Sequence, residues 1–176
     1  MKLIIRVAEV EDALKLSLFA EETFRETFSN YNSVVDMDEY CRRAYSKNIQ
    51  RNEILDINKY TIICEFNNEI IGYAQINWNS IFENINDKSQ AELQRIYIKS
   101  TYHGNGVAHE LMEFIINTIS QKKIKNLWLG VWEMNPRAIN YYKKFKFYEV
   151  GEHVFLLGND KQRDIILNKV INEEKI

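Results

Sequence analysis

Short apolar runs and longer amphipathic stretches alternate along the chain. LIIRVA (Leu3 to Ala8) reads as a strand, and beyond Asp12 the residues Leu14, Leu18, Phe24 and Phe28 recur near helical spacing. A second helix is predicted from Asp36 to about Gln50, acidic at its start and basic toward its end as the helix dipole favours, and running out into the polar segment NIQRNEILDINK. Tyr60 to Phe66 and Ile70 to Trp78 are rich in β-branched and aromatic residues. Asn67 and Asn68 between them tolerate the positive φ of a tight turn, so a β-hairpin is predicted. After the polar stretch from Ser80 to Gln90 come ELQRIYI, a glycine-containing turn, and Val107, Leu111, Ile115 and Ile119 at intervals of four: strand, turn, helix. LWLGVW (Leu127 to Trp132) suits a buried central strand, and Pro136 fits the first turn of a helix reaching Phe145. Phe147 to Leu157 and Arg163 to Val170 form two further strands, with a turn signal at Gly158-Asn159-Asp160. The predicted order is β-α-α-β-β-β-α-β-α-β-β.

With 176 residues, one proline, and neither repeat nor linker, the chain is expected to form one domain over residues 1–172, with a polar tail at 173–176. Apolar residues at 45% supply a core, and a net charge of -2 argues against a nucleic-acid-binding surface. No apolar run approaches the roughly 18 residues of a membrane span, and the N-terminus meets acidic residues too early for a signal peptide, so a cytoplasmic location is expected. Cys41 and Cys64 are isolated, and His103, His109 and His153 lack ligand spacing, so no metal is expected.

Chemistry concentrates in two places. Between the strand ending at Ile98 and the helix starting near Val107 lies Tyr102-His103-Gly104-Asn105-Gly106-Val107-Ala108. Glycines there let the backbone approach a ligand, and unpaired N–H groups at a helix N-terminus favour phosphate. A flexible connection would also need such glycines. The missing Gly-Lys-Ser/Thr excludes a Walker loop, and the late position with too few glycines disfavours a dinucleotide fingerprint. The second segment is Asn135-Pro136-Arg137-Ala138-Ile139-Asn140-Tyr141-Tyr142-Lys143-Lys144-Phe145-Lys146-Phe147.

Together these segments resemble the GCN5-related N-acetyltransferases. The first matches that family's Q/R-x-x-G-x-G/A turn, except that His103 replaces Gln or Arg. The second matches N-x-x-A-I-x-x-Y-x-K-x-G-F, except that Lys146 stands where the family has a helix-ending glycine. The resemblance implies an α/β (α+β) fold with one mixed sheet of about seven strands flanked by about four helices, and acetyl-coenzyme A as co-substrate. It implies coenzyme contacts from Ile96, Tyr97 and Ile98, from His103 to His109 (His103, Gly104, Asn105, Gly106, Val107, Ala108, His109), and from Asn135 and Lys144. Tyr142 is the implied acid that protonates the departing thiolate. An amine with a pKa of about 10.4 is almost wholly protonated at neutral pH, so a base is needed. Glu92 resembles the glutamate of histone-type members.

ETFRETFSNY, EIIGYAQIN, ELQRIYI with YHGNG, and LWLGVWEMNPRAINYYKKF are most similar to the PaiA-like polyamine acetyltransferases. That likeness implies a spermidine- or spermine-like acceptor, attracted by acids in the first two helices: Glu21, Glu22, Glu26, Asp36, Asp38 and Glu39, with Glu22, Glu26 and Glu39 as substrate contacts. Another small amine, a protein amino group, or a regulator that binds acetyl-coenzyme A without catalysis are the alternatives. A homodimer is compatible with the resemblance, and nothing in the pattern decides it.

Overall fold

A computed structural model describes residues 1–157 and 160–171. Within them lie seven strands and five helices: β1 (Ile4–Val7), α1 (Ala13–Phe28), α2 (Val34–Ala44), α3 (Lys47–Leu55), β2 (Lys59–Phe66), β3 (Glu69–Asn77), β4 (Gln90–Ile98), α4 (Val107–Gln121), β5 (Asn126–Trp132), α5 (Pro136–Lys144), β6 (Tyr148–Leu157) and β7 (Asp160–Val170). The strands form one mixed sheet in the order β1-β2-β3-β4-β5-β7-β6. Only β4 and β5 are parallel neighbours, joined by the α4 crossover; the other pairings are antiparallel. This is the α/β fold expected from the motifs. The expected tail at 173–176 and the centre of the turn at Gly158-Asn159 fall outside the described residues.

Two cores cover the two sheet faces. On one, Leu111, Met112, Ile115 and Ile119 of α4 pack on Ala74, Ile76, Ala91 and Leu93, together with Tyr142 and Phe147. Each buried Leu, Ile, Met or Phe among them contributes about 1.5–3 kcal/mol relative to exposure. On the other, Leu16, Phe19, Ala20 and Phe24 of α1 and Met37 and Cys41 of α2 pack on Ile63 and Tyr73. The four-residue stripe read in α4 is fully buried, but α1 turns a different side inward. Leu14 and Leu18 are 50% and 63% exposed, because the buried face of α1 runs through Ala13, Leu16, Ser17, Phe19, Ala20, Thr23 and Phe24.

The predicted second helix is two. Tyr45 leaves helical geometry (φ -125°, ψ 11°) to bury its ring against Phe24 and Tyr40, and Ser46 opens α3 by accepting the Ile49 N–H at 3.4 Å. Gln50 then donates its amide N–H to the Ala44 carbonyl at 3.0 Å, tying the two helices together. The segment NIQRNEILDINK is therefore largely α3 rather than a loop, held by its buried Gln50 and by Glu53 beneath the sheet. The hairpin turn is as expected, with φ 51° at Asn67 and 63° at Asn68.

Helix α5 ends in a Schellman motif. Lys146 N–H donates to Lys143 O at 2.9 Å and Phe147 N–H to Tyr142 O at 3.2 Å, with the Tyr142 and Phe147 rings 5.7 Å apart. Lys146 takes φ 63° to close it, so the turn keeps the geometry that glycine would have and a lysine bears its strain. Replacing Lys146 with Gly removes a left-handed Cβ penalty of about 1–2 kcal/mol against some loss of unfolded-state restriction. The expected outcome is a gain of about 0.5–1 kcal/mol in urea unfolding, with an unchanged slope.

Candidate active site

The site begins where β4 and β5 part. Their pairing covers only Gln90↔Asn126, Ala91↔Leu127 and Glu92↔Trp128, whereas β5 stays paired with β7 along its whole length. A register shift opposite Gln75/Ile76 places an extra residue, Gln94, in β4, and a bulge of this kind bends the strand that carries it. From Leu93 onward β4 leaves β5, exposing a strand edge whose main-chain groups have no neighbour on that side.

The opening is a cleft of about 440 Å³. Leu93 to Ile98 of β4 form one wall and Gly130, Val131 and Trp132 of β5 the other. Glu26, Thr27 and Phe28 at the end of α1 close one mouth; His103, Ala108, Asn135, Arg137, Ala138, Tyr141 and Tyr142 form the opposite side.

At that opposite side two helices start. Gly104 and Gly106 both have φ 83°, with open space where a Cβ would stand, and Gly106 is the N-cap of α4. The first intrahelical bond runs from Glu110 N–H to Gly106 O at 3.1 Å, so the N–H groups of Val107, Ala108 and His109 precede the helix ladder. Val107 itself is buried beside Cys64 and Ile71, anchoring the turn. The side chain of His103 is committed. Its Nε2 lies 2.8 Å from the Ile98 carbonyl, which can only accept, so Nε2 carries a proton and donates it there. Asn135 caps α5, its Oδ1 accepting the Ala138 N–H at 3.1 Å, and Tyr141 donates its hydroxyl to Ala108 O at 2.6 Å, fastening α5 to the first turn of α4.

Tyr142 is buried at the inner end of the cleft, and burial pushes its phenol up from the ordinary tyrosine value, so it stays protonated across the neutral range. Of the other sites suggested by the motifs, Ile96, Tyr97, Ile98, His103, Ala108 and Asn135 line the cleft with it. Gly104, Asn105 and Gly106 lie on the exposed turn leading into α4. His109 is exposed with its ring 5.3 Å from that of Phe145, and Lys144 is exposed at the far end of α5; neither lines the cleft. Glu92 is half-buried in the paired part of β4, one residue before the cleft begins.

The acids of the first helices already have partners. Glu26, which lines the cleft, accepts the Ser100 hydroxyl at 3.1 Å and N–H at 3.3 Å, and Glu22 faces Lys99 at 3.4 Å. Arg25 holds Glu21 and Asp38, Ser33 donates to Asp36, and Glu39 pairs with Arg43 at a separate surface hollow.

Arg95 was not singled out by the motifs. It lines the cleft as part of the β4 wall, donates to Glu53 at 2.7 Å and Gln75 at 3.1 Å, and stands 5.3 Å over the Tyr45 ring. Glu53 also takes Lys59 at 2.8 Å. The signal for this network lay in charged residues inside segments of strand and loop character, and spacing alone does not pair them. Among the described residues no three His, Cys, Asp or Glu side chains gather to hold a metal, and no helix is long and apolar enough to cross a membrane.

Residues 19–147 match the acetyltransferase (GNAT) family, and the chain belongs to it. It is an acyltransferase whose co-substrate is acetyl-coenzyme A. The protein named "Uncharacterized N-acetyltransferase in pepI 3'region" of Lactobacillus delbrueckii subsp. lactis is 29% identical over 96% of both chains. The spermine/spermidine N(1)-acetyltransferase of Bacillus subtilis is 25% identical over 49% of this chain and 58% of its own length. Among solved structures, PaiA N-acetyltransferase of Thermoplasma acidophilum, in complex with coenzyme A, superposes with a TM-score of 0.76 at 24% identity, over 97% of this chain and 99% of that one.

Proposed function

We propose that the protein transfers acetyl from acetyl-coenzyme A directly to a small primary amine, with polyamines as the acceptor class. The observation that carries this reading is the free edge of β4 in a cleft that runs from a helix N-terminus to the protonated phenol of Tyr142. A pantetheine arm carries amides and can add to such an edge as a further strand would. A diphosphate suits the N–H groups of Val107, Ala108 and His109, where glycine geometry keeps side chains away. Because His103 spends its Nε2–H on the Ile98 carbonyl, main-chain N–H groups of the turn supply the phosphate contacts.

The amine attacks the thioester carbonyl, and main-chain N–H groups of the β4 edge meet the charge that builds on oxygen. As the intermediate collapses, the carbon–sulfur bond breaks and Tyr142 gives its proton to the leaving sulfur. Glu92 stands behind the cleft wall, so the acceptor's proton reaches it through water. No acetyl-enzyme is required. Cys41 and Cys64 are buried, line no part of the cleft, and have thiols that burial pushes up to about 11. The polyamine reading draws on the spermine/spermidine N(1)-acetyltransferase of Bacillus subtilis.

The test is release of free thiol from acetyl-coenzyme A across a panel of polyamines, monoamines and a peptide. Release with polyamines supports the reading. Release with the peptide alone moves the acceptor to protein amino groups, and coenzyme binding without amine-dependent release makes the protein a regulator.

A further inference from the structure

One carboxylate beside the cleft has no assigned work. Asp164 on β7 is mostly buried, its side chain 14% exposed, and it accepts no hydrogen bond from any described residue; its nearest basic side chain is His153 on β6, with Nε2 4.0 Å away. Burial raises the pKa of this acid and the His153 charge opposes that rise, the pattern of a carboxylate lacking the donors a buried acid ordinarily has. In register it stands opposite Trp132, a wall of the cleft.

The route from cleft to carboxylate passes Gly130. This residue interrupts the buried run of β5, is exposed, and lines the cleft. A Cβ there would lie 3.3 Å from Asp164 Oδ2 and 3.0 Å from His153 Cε1, so only the bare backbone of Gly130 stands between the cleft it lines and the carboxylate behind it. Aromatic rings border the same place: Trp132 lies 4.9 Å from Tyr31 and 5.7 Å from Phe28. A carboxylate beside exposed aromatic faces suits an organic ammonium. Of the basic side chains nearby, Arg163 is engaged by both Glu133 and Glu152, and His153 competes with an ammonium for Asp164 only when it is protonated.

We propose that Asp164, reached across the bare backbone of Gly130 and flanked by Trp132, holds a second ammonium group of the acceptor while its terminal amine meets the thioester. This rests on the amine-acetyltransferase reading above and deepens it: the preferred acceptor is a diamine or longer polyamine, not a monoamine. The acids of α1 and α2, each with its own partner, do not set that preference.

The test compares kcat/KM for a linear diamine and for a monoamine of equal length in wild type, Asp164→Asn and Gly130→Ala. The wild type is expected to prefer the diamine. In Asp164→Asn the diamine-to-monoamine ratio falls about tenfold, the effect of losing one charge-assisted hydrogen bond. Gly130→Ala keeps the carboxylate but narrows its opening, with the exposed His153 ring able to give way, and lowers the same ratio. A purely structural role would depress both acceptors alike, and a ratio unchanged in the two variants overturns the proposal. So does a wild type indifferent to the second ammonium. A wild type that acetylates no amine overturns the underlying reading as well, which separates the two failures.

Discussion

Replacing Tyr142 with Phe is expected to lower kcat by about 10²-fold while leaving the KM for acetyl-coenzyme A near its original value. The substitution removes one oxygen from a ring whose position other contacts maintain. Phe147 packs on it, the Schellman closure of α5 fixes its backbone carbonyl, and Tyr141 secures the helix to α4 through Ala108. What disappears is a proton donor that burial keeps protonated and uncharged at neutral pH. Steady-state kinetics with varied acetyl-coenzyme A separate the possibilities. Equal losses in kcat and in coenzyme affinity would make Tyr142 a wall of the cleft, not its acid.

Glu53→Gln is expected to cause the largest loss of stability, about 3–5 kcal/mol, because it leaves Arg95 and Lys59 without their shared carboxylate. For a chain of this size that corresponds to a fall in melting temperature on the order of 10 °C. Burial by itself would raise the Glu53 pKa, but the charge of Arg95 and the hydrogen bonds from Lys59 and Arg95 outweigh it and hold the carboxyl below its ordinary value. A group whose folded pKa is depressed contributes stability above its unfolded pKa and loses it as pH falls through the folded one. Wild-type stability should therefore decline on acidification from the ordinary glutamate range downward, and the decline should be shallower in the variant. Denaturant melts at several pH values check both points, and parallel pH curves would rule out the network as the source. Because Arg95 also forms part of the cleft wall, the variant should lose turnover at temperatures where it remains folded.

Strong local signals carried through to the structure. The stripe from Val107 to Ile119 is buried, and Asn67 and Asn68 make the hairpin turn. The strand-turn-helix segments put His103, Ala108, Asn135 and Tyr142 around one cleft. Where tertiary packing overrides periodicity, the pattern misled. Leu14 and Leu18 look like the inward side of α1, yet that helix buries another face. The break at Tyr45 comes from the demand of an aromatic core for that ring, and Ser46 reads as an N-cap only once the break is known. The clustered acids of α1 and α2 attracted attention by composition, but each is occupied by a cation or hydroxyl; four-residue spacing already pairs Glu21 with Arg25 and Glu39 with Arg43, whereas Asp38 with Arg25, Glu22 with Lys99 and Glu26 with Ser100 are tertiary contacts. Gly130 and Asp164 lie 34 positions apart in the chain and become neighbours only through β5–β7 pairing. Lys146 shows the intermediate case. Its departure from the motif was visible, but that the backbone keeps left-handed geometry, and so keeps Tyr142 in place, is a property of the closed helix end.

A crystal structure of the protein with coenzyme A tests the central claim most directly. The pantetheine arm is expected to lie between β4 and β5 with hydrogen bonds to the main chain of Leu93 to Ile98. The diphosphate should sit at the N–H groups of Val107 to His109, and the sulfur should lie within hydrogen-bonding reach of the Tyr142 hydroxyl. Coenzyme bound elsewhere, or with its sulfur remote from Tyr142, would contradict it.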